Sequence, residues 1–238
     1  MILFRTNPIL IAAAVIPAIA LLVYVYRRDR LEPESPLLLA SLVLYGILST
    51  AIAMVVERIG SFLLGLFVAD TRVLYYAILF FVIVGPAEEG AKYVLLRRRT
   101  WDNPSFNCQF DGVVYAVFVS LGFALWENIG YVAMYGFGTA LLRAVTAVPG
   151  HACFGVFMGA WYGLAKRLDA AGKRRRAKTC RILALGMPAV IHGTYDFIAS
   201  IEITGYGWIF AAFIAVLFAV SWWTVRGLSK RDRYIRRW

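Results

Sequence analysis

Apolar residues in this chain run in long, nearly unbroken stretches separated by short polar or basic segments. A helix needs about 20 residues to cross a hydrocarbon core of about 30 Å, and several stretches are that long. They predict spans at Asn7 to Tyr26, Leu37 to Val56, Val73 to Leu96, Gly112 to Tyr135, Ala140 to Ala165, Ile182 to Ile201 and Trp208 to Val225. Only helices and closed barrels satisfy every backbone group in lipid, and these stretches lack the alternation of barrel strands. The fold class is therefore all-α, a polytopic membrane bundle of about seven transmembrane helices. The first stretch makes a poor signal peptide, because Arg5 is its only early positive charge and Tyr24, Val25 and Tyr26 do not form a small-residue cleavage site. The longest predicted loop is shorter than about 20 residues, and a folded domain needs about 50. Residues 1–238 are thus expected to form one integral membrane domain.

Composition agrees: 61% of the 238 residues are hydrophobic, more than a soluble fold can hide. Lys and Arg are retained on the cytoplasmic side, and their placement sets the orientation. Arg27, Arg28 and Arg30 follow the first span and Arg97 to Arg99 the third; the Lys166 to Arg181 loop follows the fifth, and Arg226 to Arg237 end the chain. The alternate loops hold only Arg58, Arg72 and Arg143. This bias puts the N-terminus outside and the C-terminus in the cytoplasm of a multi-pass protein of the cell (inner) membrane. The net charge of +11 sits beside the membrane, where anionic lipid attracts it, so lipid headgroups and not nucleic acid are the expected partners. Cys108, Cys153 and Cys180 have no metal-ligand spacing, and two fall on the reducing side, so no disulfide is expected.

A charge at mid-bilayer costs about 2.5 to 3.5 kcal/mol on insertion scales, which makes intramembrane ionisable residues candidates for function. Four clusters qualify. In the third span Glu88 and Glu89 cannot both ionise cheaply in low dielectric; Lys92, one turn on, can hold one ionised while the other serves as a general base. In the fourth, Glu127 has no cation near it in sequence and must find a partner on another helix, and Asn128 suits an interhelical hydrogen bond. The fifth carries His151, with Gly155, Gly159 and Gly163 forming a close-packing stripe. The sixth carries His192 and Asp196, whose spacing can place two ligands, or a base and its orienting carboxylate, on one face. At a rise of about 1.5 Å per residue, His151, Asp196 and Glu127 lie about 22 to 24 Å from the inner boundary, His192 about 16 Å and Glu88 only about 12 Å. Tilt or a break at Pro86 must close that gap.

These clusters, in this order, resemble the PrsW family of intramembrane proteases. Glu88-Glu89-Gly-Ala-Lys92 looks like its E-E-x-x-K motif, Phe123 to Asn128 like F-x-x-x-E-N, His151 with Gly155 like its third motif, and His192 to Tyr195-Asp196 like H-x-x-Y-D. The resemblance covers residues 73–201 and extends distantly to the type II CAAX prenyl proteases and the Aph subunit of gamma-secretase. It implies an endopeptidase acting on a membrane-anchored protein, with the first cut of an anti-sigma factor as the family role. Two mechanisms fit. In one, Glu88 or Glu89 activates water directly while His192 and Asn128 stabilise the oxyanion. In the other, His151, His192 and Glu127 bind Zn²⁺ with a glutamate as base, and Asp196 and Tyr195 support them. An Aph-like scaffold or a proton-coupled transporter would use the same residue types, but a scaffold has no need of a carboxylate pair.

Overall fold

The computed structural model describes residues 8–69, 73–200 and 207–235, and Arg5, Arg72, Ile201, Arg236 and Arg237 fall outside these. Among the described residues all regular structure is helical, apart from one isolated bridge between Cys108 and Tyr234. Helices α1 (Pro8–Tyr26) and α2 (Pro36–Phe67) are followed by α3 (Val73–Ile78), which passes through a π-helical segment (Leu79–Val84) into α4 (Gly85–Thr100). Then come α5 (Asp111–Tyr135), α6 (Phe137–Val145), α7 (Ala147–Ala170), α8 (Arg174–Ser200) and α9 (Gly207–Lys230). Among the described residues, six helical stretches are long and apolar enough to cross a membrane. The 19-residue α1 is also apolar and lies near the lower end of the spanning range.

Several boundaries differ from those read in the sequence, each for a local reason. Helix α2 continues to Phe67 because the residues after Arg58 are again apolar, so Glu57 and Arg58 lie within it. The fifth predicted span starts as the short α6, set off from α5 by Gly136, whose φ of 81° is left-handed backbone that glycine adopts freely. The basic stretch between the fifth and sixth spans is largely helical, and only residues 171–173 turn, at Gly172 with φ 71°.

Helix α5 is the most buried span and forms the axis of the bundle, with α1, α2 and α7 packed around it. The glycine stripe of α7 permits the closest of these contacts: a Cβ on Gly159 would meet the Gly112 carbonyl carbon of α5 at 2.8 Å, and one on Gly155 would meet the Val117 Cα at 2.9 Å. The basic segments gather at one end of the bundle. Ser229 of α9 donates to the Arg28 carbonyl, Lys166 of α7 to the Trp101 carbonyl, Arg167 to Gln109, and Arg99 to Ser41. The three cysteines are free and buried.

Two expectations follow. A reporter fused after Trp238 is expected to be active only in the cytoplasm and one after Gly207 only outside; an external signal from a fusion after Lys173 would overturn the orientation. Gly159→Ala is expected to cost about 1–3 kcal/mol through overpacking. Gly186→Ala, where an added Cβ meets nothing within 4 Å, should be neutral or mildly stabilising in thermal unfolding in detergent.

Candidate active site

Proline at position 86 has no backbone N–H, and the π-helical segment just before it absorbs the break in the hydrogen-bond ladder. The first turn of α4 is thereby turned toward α8, and the approach is close. A Cβ on Gly193 would lie 2.8 Å from the Phe80 carbonyl oxygen. Glu88 and Glu89 therefore enter the interior beside His192, while α7 brings His151 from the other side.

Lys92 is the hub. Its ammonium donates to Glu88 Oε2 at 3.1 Å, to Glu89 Oε1 at 2.7 Å and to His151 Nδ1 at 3.2 Å, and it lies 3.8 Å from the centroid of the Phe123 ring. Accepting from Lys92 through Nδ1 makes His151 the tautomer that carries its proton on Nε2, which donates to Glu127 Oε2 at 3.0 Å. His192 presents Nδ1 to Glu89 Oε1 at 3.0 Å and Nε2 to Asp196 Oδ2 at 3.3 Å. Phe154 stacks on the His192 ring with centroids 4.6 Å apart, and the two imidazoles stand 5.3 Å apart and nearly perpendicular. Each histidine thus turns one nitrogen to the shared centre and has the other held by a carboxylate of its own, the pattern that orients imidazole ligands around metals.

Glu88, Glu89, His151 and His192 each offer a donor atom within 4.8 Å of those of the other three, and all four are buried. Glu127 is outside that group; it joins His151 Nε2 to Arg143, whose guanidinium donates to it at 2.8 Å. Asn128 accepts from Arg143 Nε at 3.0 Å and donates to the Ala14 carbonyl of α1 at 2.9 Å, so its amide ties three helices together. Tyr195 packs its ring against Phe154 and Phe210.

The donor set suits a metal ion once Lys92, whose ammonium holds Glu88 Oε2, Glu89 Oε1 and His151 Nδ1, releases the histidine, because that nitrogen has one lone pair to give. It combines two imidazoles with two carboxylates, and Glu89 Oε2 is buried without a hydrogen-bond partner. Charge points the same way. Five carboxylates, Glu57, Glu88, Glu89, Glu127 and Asp196, face two permanent cations, Lys92 and Arg143. Low dielectric does not tolerate that excess, and protons or a divalent cation must balance it.

Two charged members were not evident in the sequence. Glu57 of α2 sits among Glu88, Glu127, His192 and Lys92 as its charged neighbours, and its Oε1 is buried without a hydrogen bond. Reading the second span as ending at Val56 had put it outside the membrane; the renewed apolar run to Phe67 was the available signal. Arg143, read as a loop charge, is the cation that Glu127 lacked in sequence.

Over residues 34–224 the chain matches the family described as "PrsW family intramembrane metalloprotease". It belongs to the PrsW family. It is 32% identical over 228 residues to "Protease PrsW" of Geobacillus kaustophilus, covering 95% of this chain and 94% of that one. It is 31% identical over 232 residues to the Bacillus subtilis protein of that name, covering 95% and 96%. No solved structure matches. Membership makes the chain an intramembrane endopeptidase with a membrane-anchored protein as substrate, as the four motifs implied.

Removing the hub charge while keeping its bulk, as in Lys92→Met, leaves Glu88 and Glu89 without their shared cation. It is expected to lower stability by about 3–5 kcal/mol, the range for a broken buried ion pair, read as a fall in the thermal midpoint. An unchanged midpoint would mean that protons, not Lys92, balance the pair.

Proposed function

We propose that this protein cleaves its substrate with Glu88 as general base and with a zinc ion held by His151, His192 and Glu89. The observation that carries this reading is the convergence of those four buried side chains, drawn from α4, α7 and α8, on one centre. Glu89 is completely buried and its Oε1 is held by both Lys92 and His192, which fits an anchored ligand. Glu88 keeps 7% side-chain exposure and is held at hydrogen-bond distance by Lys92 alone, so it is the freer of the pair to accept a proton from water. Glu127 and Asp196 take the orienting role, each fixing the outer nitrogen of one histidine. Asn128 acts as a tie between helices in preference to an oxyanion donor, since both ends of its amide are engaged. When bound, the zinc ion would polarise the scissile carbonyl and acidify water.

The protease core in this reading is residues 73–201, with α2 contributing Glu57 to its wall. The substrate is a membrane-anchored anti-sigma factor in the cell (inner) membrane, as resemblance to the family implies. Arg97 and Arg98 line a cavity of about 370 Å³ with Tyr93, Val94, Trp101 and Asp102 at the basic end of the bundle, which suits an anionic lipid headgroup.

The test pairs elemental analysis of detergent-purified protein with cleavage of a membrane-anchored peptide, before and after prolonged chelation. Glu88→Gln should keep the metal and lose activity. His151→Ala and His192→Ala should lose most of the metal, whereas Glu127→Gln should weaken it by about 10- to 100-fold. Binding should fall as pH drops and the histidine ligands protonate. Full activity with less than about a tenth of an equivalent of transition metal, where one ion per site is required, would leave direct activation of water by glutamate as the mechanism.

A further inference from the structure

At the basic end of the bundle, remote from the histidines, three carboxylates from separate segments meet in the interior. Asp29 and Glu34 come from the α1–α2 connection and Asp111 from the first residue of α5. They are 6%, 6% and 1% exposed, and each offers an oxygen within 4.8 Å of those of the other two. Oxygens that share a calcium-sized ion at about 2.3–2.6 Å lie at most about 5 Å apart, so this spacing is that of a ligand set.

The state of Asp29 shows that the cluster is more than a chance gathering of acids. Both its carboxylate oxygens are buried without a hydrogen bond, although the Glu34 backbone amide is turned toward it. Among the described residues no Lys or Arg pairs with any of the three. Arg28, the adjacent base, instead lies over the Tyr24 ring at 5.1 Å. The other two carboxylates are held in place by hydrogen bonds. Asp111 accepts the Asn107 and Cys108 amides at 3.0 and 2.7 Å through Oδ2, and Glu34 accepts the Tyr115 hydroxyl through Oε1.

The geometry points to a second metal site, at which Asp29, Glu34 and Asp111 bind one hard divalent cation, Ca²⁺ or Mg²⁺. An all-oxygen set selects such ions, whereas the imidazole-containing active site selects zinc, so the two sites are chemically distinct. Its structural effect is to clamp the α1–α2 connection to the head of α5. The C-terminal segment is drawn in as well, because Asp232 already accepts the Phe110 amide at 2.9 Å.

The test uses the full chain, purified in detergent and stripped with chelator. Equilibrium binding of CaCl2 and MgCl2 is measured with Tb³⁺ as a luminescent stand-in, sensitised through Tyr115. One equivalent of Ca²⁺ or Mg²⁺ is expected, competing with Tb³⁺ and raising the thermal midpoint. Asp29→Asn keeps the shape and removes no hydrogen bond; it and Glu34→Gln should each weaken binding by about tenfold or more, since affinity follows ligand charge. His192→Ala, which removes a proposed active-site ligand, should leave it unchanged. The inference fails if neither ion binds the wild-type chain. It also fails if Asp29→Asn and Glu34→Gln bind as wild type does, or if the loss appears in His192→Ala instead.

Discussion

An ammonium buried in a membrane protein must be surrounded by acceptors, and Lys92 meets that requirement with Glu88, Glu89 and His151. The remaining contacts propagate outward from this demand. Two carboxylates fit beside one cation, His151 is fixed as one tautomer and passes its proton toward Glu127, and Glu127 in turn needs Arg143. The network therefore extends from α4 through α7 to α5 and α6 as a chain of charge compensation.

Packing makes the compensation geometrically possible. Small residues let backbones approach where charged side chains must meet: Gly193 admits the π-helical segment to α8, and the glycines of α7 seat it against α5. The π-helical segment and Pro86 supply the local irregularity that an ideal helix would not allow, and such turns are often found at functional sites.

The spans and the four clusters were legible because a charge stands out inside an apolar run. Depth was legible less well. Counting residues put Glu88 about 12 Å and His192 about 16 Å from the inner boundary, yet Glu89 Oε1 lies 3.0 Å from His192 Nδ1, because two helices with different tilts and ends share no common origin for such a count. Glu57 and Arg143 were obscured because each sits at what reads as a span end, where a charge is ordinary. The partner of Glu127 could not be named from sequence, since its distance along the chain says nothing about which helix returns beside it. The meeting of Asp29, Glu34 and Asp111 was equally hidden, because acids in connecting segments normally face water.

The near-complete enclosure of Glu88, Glu89, Lys92, His151 and His192 bears on how a substrate reaches such a site. In the proposed mechanism both water and an extended substrate backbone must reach Glu88, which the packed helices leave only 6% exposed. A parting of helices then has to precede each cut, a step of the kind that lids perform in other enzymes. Such a step would place the bilayer, which presses on the same helix contacts, among the things that govern access to the site.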